Sequence, residues 1–254
     1  MDLSDSTSGL FGHRLPLPQE GRGFLVRGRS LDPAVVVRVL RPYVSEARAN
    51  RIESVVSARS RSVVPVVEGA ANLGNIGAVM RTAEALGFLD FHVIMTETQY
   101  KRSSRTTQGA DKWLDVFAWP DVGPCIRYLK DSGYRLITTG VGDDSRPIDE
   151  VDFARPTAIV FGNEVGGVSA AMCEAADERC SIPMQGMVES LNISVAAAIC
   201  LEKARQARAR LHGGYGDLPE PDREVLRAAY YVRSVRRAES LLHHHAPGGA
   251  MTSG

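Results

Sequence analysis

A β-branched run, SVVPVVEG from Ser62 to Gly69, is followed at a short interval by the glycine-bearing NLGNIG, by AVMRTAEALG, and by a second apolar run, FHVIM, at Phe91–Met95. In the middle segment Val79, Ala83 and Leu86 recur at helical spacing, and Gly87 supplies a helix stop. Strand, helix and strand fit within about thirty residues, the length of a βαβ crossover. Strands joined in this way run parallel, because an antiparallel pair would need only a short turn. NLGNIG reads as the loop between the strand and the helix. The sheet begun here is mostly parallel with helices on both faces, so the fold class is α/β.

The alternation continues downstream. DVFAW reads as a strand, Val122–Lys130 as a helix, and YRLITTG, Tyr134–Gly140, as a strand ending in small polar residues. TAIVFGNEVGGVS holds a buried strand at Ala158–Phe161, then Gly162, Asn163 and Glu164, then paired glycines, with Ser169 placed to start a helix. RCSIPM is the last sheet strand. It leads into IPMQGMVESLNISVAAAICLEKARQAR, Ile182 to Arg208, which passes from a strand end through a polar glycine-containing loop into a long Ala-rich helix. A chain of 254 residues has room for one ample α/β domain with extensions, and residues 62–212 are assigned to it.

The flanks have a different texture. Residues 1–23 carry Ser, Gly and Pro without periodicity and are expected to form a flexible leader. Residues 24–61 form a basic helical extension, with Asp32 and Pro33 opening one helix and Ser45–Arg59 a second. Residues 213–243 contain a basic C-terminal helix, from about Pro221, in which arginines alternate with Tyr230 and Tyr231. Basic and aromatic side chains together suit RNA, although a helix packed through its tyrosines would read the same. The remainder, residues 244–254, reads as a disordered tail, and His243, His244 and His245 at its start are not assigned a metal.

Composition narrows the partners. Net charge is zero, yet Arg14 to Arg61 holds ten arginines against Glu20, Asp32, Glu46 and Glu53, an imbalance that points to a polyanion. No run of about 18 apolar residues could span a bilayer, and the N-terminus lacks a basic segment followed by an apolar one, so a cytoplasmic location is expected. Cys125, Cys173, Cys180 and Cys200 form no CxxC pair and have no histidine nearby in sequence, which favours core thiols over zinc or disulfides.

In a parallel sheet the loops that follow the carboxyl ends of the strands share one edge, where open α/β folds bind ligands. NLGNIG, the Thr138–Thr139 turn, GNEVGG and PMQGMVESLN all follow strands in this way. Their glycines allow backbone to approach a ligand closely. A nicotinamide dinucleotide would require GxGxxG and an acid near the end of the next strand; NLGNIG spaces its glycines otherwise, and FHVIMTET offers no such acid.

NLGNIGAVMRTAEALGF, IVFGNEVGGVS and the Ile182–Arg208 segment resemble the three signature motifs of the SpoU/TrmH branch of the SPOUT RNA ribose 2′-O-methyltransferases. The likeness runs from about Arg48 to the last helix. RTTQGADKW and the basic helices at both ends further resemble the subgroup acting on guanosine-18 in the D-loop of tRNA. The resemblance implies a C-terminal trefoil knot, an obligate homodimer, and S-adenosylmethionine held bent in the knot, with S-adenosylhomocysteine as product. It assigns catalysis to Arg81, Asn75, Glu164, Ser190 and Asn192, and cofactor contacts to Thr139, Gly162, Ile182, Met184, Gly186 and Leu191. Candidate RNA contacts are Arg48, Arg51, Arg105, Lys112, Arg233 and Arg236, and no metal is implied. The leader is longer than that subgroup leads one to expect, which bears on the substrate.

Two roles are open to Arg81: base toward the ribose hydroxyl, or a cation that stabilises the developing alkoxide while water takes the proton. Its alternative structural use is a salt bridge to Glu164. Asn75 and Asn192 could serve only as caps of their own loops. Ribosomal RNA, including a resistance-type target on the large subunit, is the alternative substrate. An RNA-binding assembly factor that keeps the fold without the chemistry is the alternative class.

Overall fold

The computed structural model describes residues 24–26, 29–69, 72–95, 107–142, 144–163 and 166–245. In chain order the elements are β1 (Phe24–Val26), β2 (Arg29–Leu31), α1 (Pro33–Leu40), α2 (Glu46–Ser57), β3 (Val63–Glu68), α3 (Leu73–Ala85), β4 (Asp90–Ile94), β5 (Asp115–Trp119), α4 (Val122–Asp131) and β6 (Arg135–Thr139). They continue as β7 (Arg146–Pro147), β8 (Thr157–Phe161), α5 (Ala170–Ala175), β9 (Glu178–Ser181), α6 (Ile193–His212), α7 (Glu220–Ser234) and α8 (Ala238–His245). The chain divides into a central unit, Arg59–Asp217, and a unit drawn from both ends, Met1–Ala58 with Leu218–Gly254.

The central unit is a seven-stranded sheet of order β5-β4-β3-β8-β6-β9-β7, parallel at every pairing. β3 lies at its heart, and all of its side chains are buried. Because side chains alternate across a strand, Val64 and Val66 face one layer, where they meet Cys125 and Leu129 of α4 and Met172 of α5. Val63 and Val67 point the other way. There α6 packs against both β3 and α3, burying Ile76, Val79, Met80, Ala197 and Leu201. Full burial of such a side chain contributes about 1.5–3 kcal/mol, so the two apolar layers dominate the fold.

One loop expectation is corrected. NLGNIG is not a loop: α3 starts at Leu73, with Asn72 as its cap accepting from the Gly74 N–H at 2.8 Å. A Cβ on Gly74 would lie 2.9 Å from that cap oxygen, so the glycine makes room for the cap. Asn75 is thereby placed in the first turn of α3.

At the amino edge of the sheet polar groups satisfy one another. Arg61 donates to Asp90, at the start of β4, and to Asp115, at the start of β5, the latter at 2.8 Å. The Tyr134 hydroxyl donates to the Arg61 carbonyl at 2.7 Å. Burial, opposed by the Arg61 charge, pushes the Asp90 carboxyl up to about 6. His92 is buried with its ring stacked on Phe117, and its Nδ1 accepts from Trp119 Nε1 at 2.9 Å. Burial lowers its pKa to about 3. Arg59, 1% exposed, donates to the carbonyls of Glu84 and Phe88 at 2.9 and 3.0 Å and to the Glu84 carboxyl at 2.7 Å.

The unit built from the chain ends holds more than helices. Its N-terminal part opens with an antiparallel hairpin, β1–β2, ahead of α1, whose Asp32 cap accepts from Ala34 N–H at 2.8 Å. α7 joins α2 through Arg227 and Glu53, 2.8 Å apart. The single helix expected to end at His243 is two helices. α7 stops at Ser234, Arg237 takes a left-handed φ of 60°, and α8 runs to His245, so the histidines are helical rather than the start of a tail. Tyr230 and Tyr231 are buried at 1% and 3% exposure, so α7 packs through its tyrosines and they are not free to stack on bases.

All four cysteines are free, with Cys125, Cys180 and Cys200 buried as core thiols. No helix among the described residues is long and apolar enough to cross a membrane.

Candidate active site at the carboxyl edge of the sheet

β3, β8, β6 and β9 are consecutive in the parallel sheet, so their carboxyl ends share one edge. Two bonds lock these ends together. Thr139 Oγ1 donates to the Val160 carbonyl at 2.9 Å, tying β6 to β8, and Gly140 N–H donates to the Cys180 carbonyl at 3.0 Å, tying it to β9. The Thr139 hydroxyl proton is therefore already used within the sheet.

After β8 the chain folds into a closed loop. Asn163 and Gly167 exchange backbone hydrogen bonds at 3.1 and 3.0 Å, and Asn163 Oδ1 accepts from Gly166 N–H at 2.6 Å. A Cβ on Gly162 would fall 2.1 Å from the Gly167 carbonyl carbon, so only glycine allows the two arms to meet. Gly167 itself has a φ of +66°. Glu164, between the arms, lies outside the described residues, as does Arg105, so the salt bridge considered for Arg81 and Glu164 falls there too.

The third segment leaves β9 at Ser181 and reaches α6 through an irregular, largely exposed stretch. Ile182, Met184 and Leu191 are half-buried; Gln185 to Ser190 are exposed, and a Cβ on Gly186 would meet nothing within 4 Å. Asn192 caps α6, its Oδ1 accepting from Ser194 N–H at 2.9 Å and from Ser194 Oγ at 2.6 Å. Its other end donates, Nδ2 to Asn75 Oδ1 at 3.3 Å. The two asparagines, 117 positions apart in sequence, are thus in contact, and Asn192 caps α6 as well as reaching Asn75.

Arg81 lies on the exposed side of α3 and makes no hydrogen bond or ion pair with another described residue. Ser190 is likewise exposed. Of the RNA candidates, Arg48 and Arg51 are exposed on α2, and Arg236 is exposed just beyond α7. Arg233 is half-buried with its guanidinium 5.7 Å from the Tyr230 ring centre. Lys112 is half-buried, 5.0 Å from the centre of the Trp113 ring.

Two residues at this edge were not singled out from sequence. Glu68, the last residue of β3, is 3% exposed and its Oε2 accepts from Ser169 N–H at 3.2 Å. An acid closing a wholly apolar strand was the signal. Arg179 lies along the turn after β6, where a Cβ on Gly140 would touch its Cδ at 3.6 Å, and it pairs with Asp144 at 3.1 Å. Among the described residues no group of three His, Cys, Asp or Glu side chains could hold a metal.

An edge with backbone donors and acceptors, glycines where backbone must approach closely, and half-covered Ile182, Met184 and Leu191 fits a flat heterocycle carrying a small charged tail. S-adenosylmethionine has this form. Residues 62–202 match the model of the SpoU rRNA Methylase family. The chain is 38% identical over 181 residues, 71% of its length and 92% of the relative's, to a tRNA (guanosine(18)-2′-O)-methyltransferase of Thermus thermophilus. The A. aeolicus TrmH/SpoU tRNA modifying enzyme superposes with a TM-score of 0.68 at 30% identity, covering 75% of this chain and 98% of that one. The SpoU methyltransferase AviRb from Streptomyces viridochromogenes in complex with AdoMet superposes with a TM-score of 0.54 at 27% identity, covering 61% and 63%.

Proposed function

This chain belongs to the SpoU rRNA methylase family, and on that premise we propose that it methylates a ribose 2′-hydroxyl of tRNA, with guanosine-18 of the D-loop as the target. The methyl donor is S-adenosylmethionine. The observation that carries the reading is the bond between Asn192 and Asn75, which joins the starts of α6 and α3, helices that follow β9 and β3 of the same parallel sheet. Bound at this edge, the cofactor supplies a methyl group on a sulfonium, already a good leaving group.

The protein then has to align the hydroxyl with that methyl group and manage one proton. Backbone at Gly140, Gly162 and Ile182, with the side chains of Met184 and Leu191, holds and screens the cofactor. Ser190 and the Asn75–Asn192 pair orient the sugar. A guanidinium keeps its proton in proteins, so Arg81 acts as the positive charge that steadies the alkoxide as the proton passes to water. Glu164, two positions after Gly162 in the sequence, orients substrate.

The long stretch from β9 to α6 passes through the rest of the domain as a trefoil knot. A homodimer covers the apolar side chains that this segment and the first turn of α6 leave in water: Met187 is 100% exposed, Val188 64% and Val195 47%. The enzyme works in the cytoplasm, with Arg48, Arg51, Arg105, Lys112, Arg233 and Arg236 neutralising RNA phosphates and no metal in the chemistry. Residues 1–23 and 246–254 flank the working parts, and ribosomal RNA, the substrate class in the family's description, is the second reading.

The test is transfer of labelled methyl from S-adenosylmethionine to unfractionated tRNA and, separately, to rRNA, with the modified nucleotide mapped by its resistance to alkaline cleavage. Label at guanosine-18 of tRNA is expected. Label confined to rRNA selects the second reading, and label on a base atom overturns both. Affinity for tRNA is expected to fall by about tenfold or more between 50 and 200 mM salt.

A further inference from the structure

Asn163 and Gly167 are joined by a pair of backbone hydrogen bonds, so where they stand depends on how the chain on either side of them is anchored. The incoming arm is also held to β6 through Thr139 and Val160, and each arm has an anchor on the last two residues of β3. On the incoming arm Phe161 stands in parallel register with Val67. On the outgoing arm Ser169 donates its backbone N–H to Glu68 Oε2 at 3.2 Å. Nothing else about this position favours an acid. It is 3% exposed, it ends a strand whose other side chains are Val and Pro, and it makes no ion pair with another described residue. Two residues on from Val66, which packs among Cys125 and Leu129 of α4 and Met172 of α5, Glu68 belongs to the same face of the sheet.

We propose that Glu68 is a positioning residue for methyl transfer, clamping the outgoing arm of the loop so that Gly162 and its neighbours stand at the right height over the cofactor. This rests on the functional reading above. The fold does not need the clamp. α5 has its own cap, Ser169 Oγ accepting from Met172 N–H at 3.3 Å, and the loop closes through its own backbone. Loss of the Glu68 acceptor therefore leaves both elements formed and releases only the angle between them.

Two variants of the full chain separate these roles. Glu68→Gln keeps a side-chain oxygen that can accept from Ser169, and Glu68→Met fills similar space with no acceptor. A part-buried N–H left unmet predicts that Glu68→Met raises the Kd and KM for S-adenosylmethionine about tenfold and speeds amide exchange at Ser169 by a similar factor. At saturating cofactor kcat changes by less than about threefold, since the reacting groups are intact. Glu68→Gln restores both readouts to within about twofold of the wild type. The proposal is overturned if Glu68→Met leaves exchange and cofactor affinity at wild-type values, or if Glu68→Gln fails as badly as Glu68→Met. Should the wild type bind no S-adenosylmethionine, the functional reading falls, and exchange at Ser169 still decides whether Glu68 holds the loop.

Discussion

At the amino edge of the sheet Arg61 reaches both Asp90 and Asp115, and His92 is matched to Trp119, whereas at the carboxyl edge Arg81 and Ser190 face solvent. Both regions carry polar side chains, and each has an arginine, Arg61 just before β3 and Arg81 on α3. The amino edge has spent its hydrogen bonds internally, so its polar groups act as structure. At the carboxyl edge the described hydrogen bonds shape the loops and tie strand ends together, through Asn72, Thr139, Asn163 and Asn192, and leave Arg81 without a described partner. What sets Arg81, the arginine proposed for the chemistry, apart from Arg61 is the absence of a described partner, since residue type is shared.

The two arginines give the sharpest way to break this contrast. Arg81→Ala should lower methyl transfer by about a thousandfold while cofactor affinity stays within a few fold and the melting temperature moves by no more than about 2 °C. Arg61→Ala should do the reverse, destabilising by about 3 kcal/mol because two neighbouring carboxyls lose their shared partner, with activity per folded molecule retained. Equal melting losses in the two variants would erase the distinction. Transfer assays and thermal melts of the purified variants read both.

A smaller effect sharpens the amino edge. His92 has its pKa lowered from 6.5 to about 3 by burial, so the unfolded chain takes up the proton first. Its contribution to stability is complete above pH 6.5 and is lost as pH falls toward 3, amounting to about 3 kcal/mol by pH 4. His92→Gln, which keeps an acceptor for Trp119, should flatten this acid limb in urea unfolding measured from pH 7 to 4. Asp90 works in the opposite sense: raised from 3.8 to about 6, it favours the fold below pH 3.8 and loses that contribution as pH rises through 6. It is present in both proteins, so the difference between their curves isolates His92.

The smallest effect lies at the carboxyl edge. Asn192→Ala removes the cap of α6 and should cost about 1 kcal/mol, with a loss of activity beyond that due to unfolding. Asn192→Asp keeps the cap oxygen but loses the donor to Asn75, so it should restore stability and leave transfer impaired. If Asp restores both, the contact between the two asparagines has no part in the chemistry.

The parallel sheet could be read from the sequence because β-branched runs and helical spacing alternate between Ser62 and Arg208, interrupted by the polar stretch from Gln99 to Trp113. The strands at Asp115–Trp119, Arg135–Thr139 and Thr157–Phe161 lie where that alternation puts them. The glycines of NLGNIG misled because a glycine that frees a loop and one that makes room for a cap are the same letter. The break at Val235–Arg237 was invisible for a related reason: the sign of a backbone angle at Arg237 leaves no mark on side-chain periodicity. The motif residues were recognised from their resemblance to a family, whereas the meeting of Asn75 with Asn192 depends on two helix starts brought together by the sheet. Glu68 was passed over because periodicity counts it as the polar end of a strand, and only its burial and its bond to Ser169 reveal a partner.

β9 enters the sheet between β6 and β7, although both precede it in the chain. A nascent polypeptide therefore carries β6 with one flank bare until residues beyond Glu178 have been synthesised. Bare strand flanks recruit other strands, so translation that halts before this point should yield products that clump or call on chaperones. The last strand to be made closes the sheet.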